Sequence, residues 1–192
     1  MLIPRPARLG DHDLIRDFFQ GMDDAGLQLY ASFVAKQHGE KRDADIESLV
    51  HENLAHDLSL TLWSFVPMGP LVAISSAYRI DPERKKGCDH IPPEAVCELA
   101  VIVHPSFRRS GIGMCAVRYE VRASRLRQEG DSILLCCDVH NRGSGTIARK
   151  LGFQPRALGC SHCWKSSTLV WQLPYSACRR CWYSPTRVEM GV

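Results

Sequence analysis

Arg108-Arg109-Ser110-Gly111-Ile112-Gly113 is the segment whose residue types and spacing point most directly to chemistry. It lies between an apolar run ending at Val103 and a long helical stretch beginning near Gly111. Such a junction puts a helix N-terminus, with unpaired N–H groups and partial positive charge, where an anion can dock. Gly111 and Gly113 keep Cβ atoms out of the approach, and Arg108 and Arg109 add charge-assisted donors for phosphate. Pro105 removes a donor and helps to end the strand. The third glycine of a dinucleotide fingerprint is missing, and no Gly-Lys-Ser/Thr follows as in a P-loop.

Glu98 is the one carboxylate inside the apolar run from Val96 to Val103. Partial desolvation there raises a carboxyl pKa toward values useful to a general base. The competing reading puts Glu98 at the strand's start, facing water or pairing an arginine. A third group, Cys160, Cys163, Cys178 and Cys181, forms two Cys-x-x-Cys pairs joined by 14 residues. Four thiolates suit tetrahedral zinc, and His162 could replace one. The segment Lys165 to Tyr175 between them reads as a strand. Extended at ~3.3 Å per residue, it puts the pairs at opposite ends unless the tail folds back. Two exposed, reduced pairs are the alternative. His38, His51, His56, His90 and His104 are scattered and take no role; Tyr119 reads as a packing residue, as do Trp164, Trp171 and Trp182, exposed ones of which could instead line an acceptor groove.

The elements that must position these residues follow from periodicity. Leu2 to Arg8 reads as a short strand. Asp11 is the expected N-cap of a helix carrying Leu14, Ile15, Phe18 and Phe19 on one face, stopped by Gly21. A second short helix falls between Asp23 and Gly39, and Asp45 to Leu58 reads as helix. Leu60 to Val66 and Leu71 to Ile80 form a hairpin about Pro67-Met68-Gly69-Pro70. Asp81 to Pro93 reads as a loop, Val96 to Val103 as a strand, Gly111 to Glu129 as a helix, and Ser132 to Val139 as a strand buried on both faces. A helix from Gly143 to Leu151 and strands near Phe153 to Leu158 and Thr168 to Leu173 complete the order. That order predicts an α/β chain of mixed (α+β) character, a mixed sheet with helices packed on it.

The glycine turn resembles motif A of the GNAT superfamily of N-acetyltransferases, Arg/Gln-x-x-Gly-x-Gly/Ala after an apolar strand. Asn141 after the strand Ile133 to Val139, with Lys150-Leu151-Gly152-Phe153 closing the next helix, resembles motif B of the same superfamily. The resemblance runs from about Glu94 to Phe153. The early segment resembles the GNAT domains of protein lysine acetyltransferases, without assigning an acceptor. The resemblance implies a mixed central sheet with helices on both faces and a splayed strand pair holding acyl-CoA. Val101, Ile102 and Val103 would then offer backbone groups to the pantetheine arm. Arg108, Arg109, Ser110, Gly111, Ile112 and Gly113 would hold the pyrophosphate, and Asn141 and Ser144 would contact the pantetheine. The implied reaction is direct attack of a primary amine on the thioester of acetyl-CoA. Such an amine is protonated at neutral pH, so a base is needed, and Glu98 is the catalytic candidate. Many members place a Tyr four residues before the glycine of the Leu-Gly-Phe block, to protonate the departing thiolate. Here that position is Ala148.

Composition limits the alternatives. A chain of 192 residues suits one domain, divided here into a GNAT-like unit over 1–159 and a final strand with a Cys-rich tail over 160–192, in the same domain or a small appendage. A balance of 24 basic against 21 acidic residues argues against nucleic acid, and no apolar run approaches the length of a membrane span. The first ten residues lack the apolar core of a signal peptide, and 9 cysteines, an odd number, argue against a full disulfide framework. The expected setting is cytoplasmic. The expected partners are acetyl-CoA and an amine acceptor, a small molecule or a protein lysine or N-terminus, with a homodimer compatible with the pattern. Two other functions stay open: a non-catalytic acyl-CoA-binding module, encouraged by Ala148, and a zinc-stabilised interaction domain.

Overall fold

The fold is described from a computed structural model over residues 1–30, 44, 46–48, 50–51, 59–80, 91–126, 131–158, 168–174 and 176. The alternating and apolar runs become strands β1 (Ile3–Pro6), β2 (Ser59–Ser64), β3 (Ala73–Arg79), β4 (Ala95–Val103), β5 (Ser132–Asp138), β6 (Gln154–Leu158) and β7 (Thr168–Pro174). The segments of helical period become α1 (His12–Gln20), α2 (Asp24–Tyr30), α3 (Ile112–Leu126) and α4 (Arg142–Lys150). Residues 44, 46–48 and 50–51 are helical as well, the last five of them within the helix expected over 45–58 and residue 44 just before it. The loop expected from Asp81 lies outside the described residues as far as residue 90.

The strands form one mixed sheet in the order β1-β2-β3-β4-β5-β7-β6. All neighbours run antiparallel except β4 and β5, which are parallel. The expected fold class is therefore present. β7 is the last of the described strands along the chain yet inserts between β5 and β6, so residues 168–174 are an integral part of the sheet.

Helices cover both faces. On one, Ile15, Phe18 and Phe19 of α1 and Leu27 of α2 pack with Leu62 of β2, Ile74 of β3 and Ile102 of β4. On the other, Val117 and Val121 of α3 and Ala148 of α4 pack with Leu99, Leu135 and Trp171. Each fully buried Ile, Leu or Phe contributes about 1.5–3 kcal/mol relative to exposure. These two slabs fix how the helix ends meet the sheet.

Asp11 differs from its expected role. Its side chain makes no cap bond to α1. Instead its carboxylate takes both terminal nitrogens of Arg5, each at 2.7 Å, and the Arg8 amide at 2.7 Å. A bidentate arginine is a stronger partner than one neutral amide, and it ties β1 to the start of α1.

Candidate functional site

Parallel pairing of β4 with β5 runs from Ala95/Ser132 and ends at Leu99/Leu135. Beyond that point β4 stays paired with β3 through Val103, and β5 stays paired with β7 through Asp138. The two strands therefore part while each keeps its outer neighbour, leaving a wedge between Ala100–Val103 and Cys136–Asp138. His104 donates its N–H to Val72 at 2.9 Å, opposite it across β3. Backbone groups alternate sides along an antiparallel pair. By that alternation Ile102 also turns to β3, while the N–H and C=O of Val101 and Val103 face the wedge. Of the three residues expected to offer backbone groups, Val101 and Val103 are the two whose backbone turns toward the wedge, the Val103 C=O also accepting from Arg108 Nε at 3.4 Å. Ile102 does not turn that way: its backbone serves β3 and its side chain lies in the α1 and α2 core.

At the open end of the wedge, Pro105–Phe107 forms a single 3₁₀ turn capped by His104, whose Nδ1 accepts the Ser106 N–H at 3.3 Å. The chain then enters the left-handed region at Arg109 (φ 64°) and again at Gly111 (φ 85°) before α3 begins. Cys115 N–H bonds Gly111 C=O, the first bond of the helix. The amides of Ile112, Gly113 and Met114 thus have no carbonyl inside the helix to pair with, and they form an anion-ready terminus. The two glycines serve different ends. A Cβ on Gly111 would meet nothing within 4 Å, so glycine is needed there for its positive φ. A Cβ on Gly113 would lie 3.1 Å from Ile147 Cδ1 and 3.4 Å from Val103 Cγ2, so that glycine lets α3 approach α4 and β4.

The arginines also divide. Arg108 donates from Nη1 and Nη2 to the Asp23 carboxylate, at 2.7 and 2.6 Å, and its amide bonds Pro105 C=O at 3.3 Å. Its Nε donates to Val103 C=O at 3.4 Å, so the backbone serves the 3₁₀ turn while the side chain bridges α2 and the end of β4. Arg109 is exposed and has no ion pair among the described residues. Ser110 is exposed, and its hydroxyl donates to Phe107 C=O at 2.5 Å.

Glu98 occupies the vertex. It pairs with Leu134, one step before the last β4–β5 pair, and with Tyr78 on β3. It shares the sheet face of Ile102, the face that α1 and α2 cover. At 4% exposed it is buried, so the reading that had it facing water is set aside. Asn141 caps α4, its Oδ1 accepting the Ser144 N–H at 3.0 Å. The cap uses only Oδ1, so the Asn141 NH₂ group takes no part in it. Ala148 is fully buried against the sheet. Burial pushes the thiol of Cys137, on the same face, above its ordinary pKa.

Asp23 and His104 belong to this site, although in the sequence Asp23 carries no site role and His104 reads as taking none. Asp before a helix signals an N-cap, and Asp23 does accept the Gly26 N–H at 2.8 Å. Its partnership with an arginine 85 positions away has no local signal. His104 packs on Phe18 and Phe107, with ring centroids 6.0 and 5.9 Å apart, and so links α1 to the turn. Cys160, Cys163, Cys178 and Cys181 lie outside the described residues. Among the described residues no group of three or more His, Cys, Asp or Glu side chains could hold a metal ion. No described helix is long and apolar enough to cross a membrane.

No family model matches the sequence, and no curated protein matches it. Solved structures do match in fold. The GNAT domain of PAT from S. lividans superposes with a TM-score of 0.66 at 13% identity, over 89% of each chain. YncA of Salmonella typhimurium, solved with its cofactor acetyl-CoA, gives 0.62 at 15% identity, over 91% of this chain and 94% of the other. The ribosomal-protein-alanine N-acetyltransferase of Brucella melitensis gives 0.60 at 15% identity, over 90% and 99%. The fold of this chain is the GNAT fold.

Proposed function

We propose that this chain is an N-acetyltransferase of the GNAT type, moving an acetyl group from acetyl-CoA to a primary amine. The observation that carries the reading is the wedge above Leu99/Leu135, with helix amides at its mouth and a buried carboxylate at its vertex. Support also comes from the fold neighbours, one of them solved with acetyl-CoA. The residues fit that co-substrate. Val101 and Val103 present extended backbone to an amide-bearing arm. The amides of Arg109 to Gly113 and of Met114 meet a pyrophosphate, with the Arg109 side chain beside them. The NH₂ of Asn141, and Ser144 next to it, meet the arm from the α4 side.

Acetyl-CoA supplies an activated thioester. In this reading Glu98 takes a proton from the incoming ammonium, directly or through one water, and frees the lone pair that attacks the thioester carbon. The C–S bond breaks and the thiolate leaves. Its low thiol-type pKa lets it depart as an anion, and the second proton lost from the attacking nitrogen, passed through solvent, ends on the thiolate or in the buffer. Ala148 has no proton to give. Cys137 stays a protonated thiol near neutral pH, which favours direct transfer over an acyl-cysteine intermediate.

The test is thiol release from acetyl-CoA with a panel of amines: small amines, lysine peptides and peptides with free N-termini. One or more should give turnover above hydrolysis. Glu98→Gln should lower that turnover about 10²–10⁴-fold with acetyl-CoA affinity kept. The buried Ala148 favours one second reading, a module that binds acyl-CoA without chemistry. Tight acetyl-CoA binding with no turnover on any amine would select it.

A further inference from the structure

The Asp23–Arg108 pair joins two regions that the proposed function uses separately. Arg108 opens the turn at the mouth of the wedge. Asp23 caps the first turn of α2, on the sheet face that carries Glu98. Both terminal nitrogens of Arg108 fork onto the Asp23 carboxylate at 2.6 and 2.7 Å, the geometry with which a guanidinium grips a phosphate. The same Asp23 Oδ1 accepts the Gly26 N–H. A Cβ on Gly26 would overlap Arg108 Nη2, so the guanidinium lies directly against the first turn of α2. Yet the pair is open to solvent, with side chains 38% and 45% exposed.

We propose that Asp23 is an internal stand-in for a phosphate of acyl-CoA: cofactor binding draws Arg108 off Asp23 and loosens the N-terminus of α2. This rests on the acetyl-CoA reading above. The exchange is inexpensive. An exposed ion pair of this kind biases an equilibrium by no more than about fivefold. A pyrophosphate brings more charge and more acceptor oxygens to the same fork. Arg108 stands one residue before the left-handed step at Arg109, and its Nε, not its terminal nitrogens, holds Val103 C=O at 3.4 Å, so the fork can leave Asp23 while that contact and the amide turn stay in place. The consequence is order. The helix bordering the Glu98 face is held while the donor is absent and released when it arrives.

The experiment is calorimetric titration with acetyl-CoA, joined to hydrogen exchange on the wild-type chain. Asp23→Asn removes the competing charge and keeps an N-cap side chain. It should tighten acetyl-CoA by up to about fivefold. Arg108→Gln should weaken binding, and adding Asp23→Asn to it should change nothing further. In the wild type, acetyl-CoA should speed exchange of the amides of residues 24–30. This last readout needs no variant to fold. Unchanged or weakened affinity in a folded Asp23→Asn, or unchanged or slowed exchange across 24–30 in a wild type that binds, overturns the stand-in and leaves the acetyl-CoA reading in place. A wild type that binds no acetyl-CoA overturns both.

Discussion

At the residue scale, Gly111 and Gly113 look interchangeable in the motif and are not. Gly111→Ala meets no steric neighbour but forces a side chain into the left-handed region, which costs about 1–2 kcal/mol. Its main effect should be weaker acetyl-CoA binding, read by titration, as the turn shifts to relieve the strain. Gly113→Val instead drives into Ile147 and Val103 and should lower stability by about 1–3 kcal/mol, read by denaturant unfolding. Motif spacing made both positions legible, but the reason for each depended on φ and on neighbours distant in sequence. Asp11 shows the same limit. Its place before α1 is that of a cap, and only the fold brings Arg5 to it. Hydrogen bonding from Arg5, and secondarily from the Arg8 amide, holds the Asp11 carboxyl below the usual carboxylate range. The folded pKa thus lies below the unfolded one. Its stabilisation is full above the unfolded value and is lost as pH falls through the folded one. Asp11→Asn should cost about 1–3 kcal/mol near neutral pH. It should also flatten the loss of stability on acidification, measured by unfolding at a series of pH values.

At the element scale, the seating of α3 decides where the turn amides lie. Beyond its apolar face, α3 is fixed by a buried polar chain: Trp63 Nε1 donates to Ser75 Oγ at 2.8 Å, and Ser75 Oγ donates to Glu120 Oε1 at 2.6 Å. Tyr119 adds an edge-on contact to Trp63, with centroids 5.3 Å apart. Trp63→Phe keeps most of the ring and loses the donor, so it should cost about 1 kcal/mol in denaturant unfolding. Among the described residues most strands and helices were legible nearly to their ends from period and punctuation, since alternation and capping are local, while the far ends of the helices expected over 23–39 and 45–58 lie outside the described residues. The placement of β7 between β5 and β6 was not, because strand order depends on pairing between distant segments. The wedge had a similar history. Its existence was expected from the resemblance to GNAT sequences, but which residues face it depends on register. Val101 and Val103 face it because His104 and Ile102 turn to β3.

At the scale of the whole molecule, the sheet divides the work. One face carries α3 and α4, whose N-terminal ends frame the wedge. The other carries α1 and α2 over Glu98, and the Asp23–Arg108 pair crosses between the two regions. A donor filling the wedge should raise the global stability of the fold, even as α2 loosens locally. At a hundredfold its dissociation constant, acetyl-CoA should add ~2.7 kcal/mol, seen as a raised unfolding temperature. The most direct test of the account is where that protection appears. Hydrogen exchange with and without acetyl-CoA should show slowed exchange at Val101, Val103 and the amides of residues 111–114, since those are the groups the wedge and turn present. Binding that leaves both stretches unprotected, or no binding at all, would contradict it.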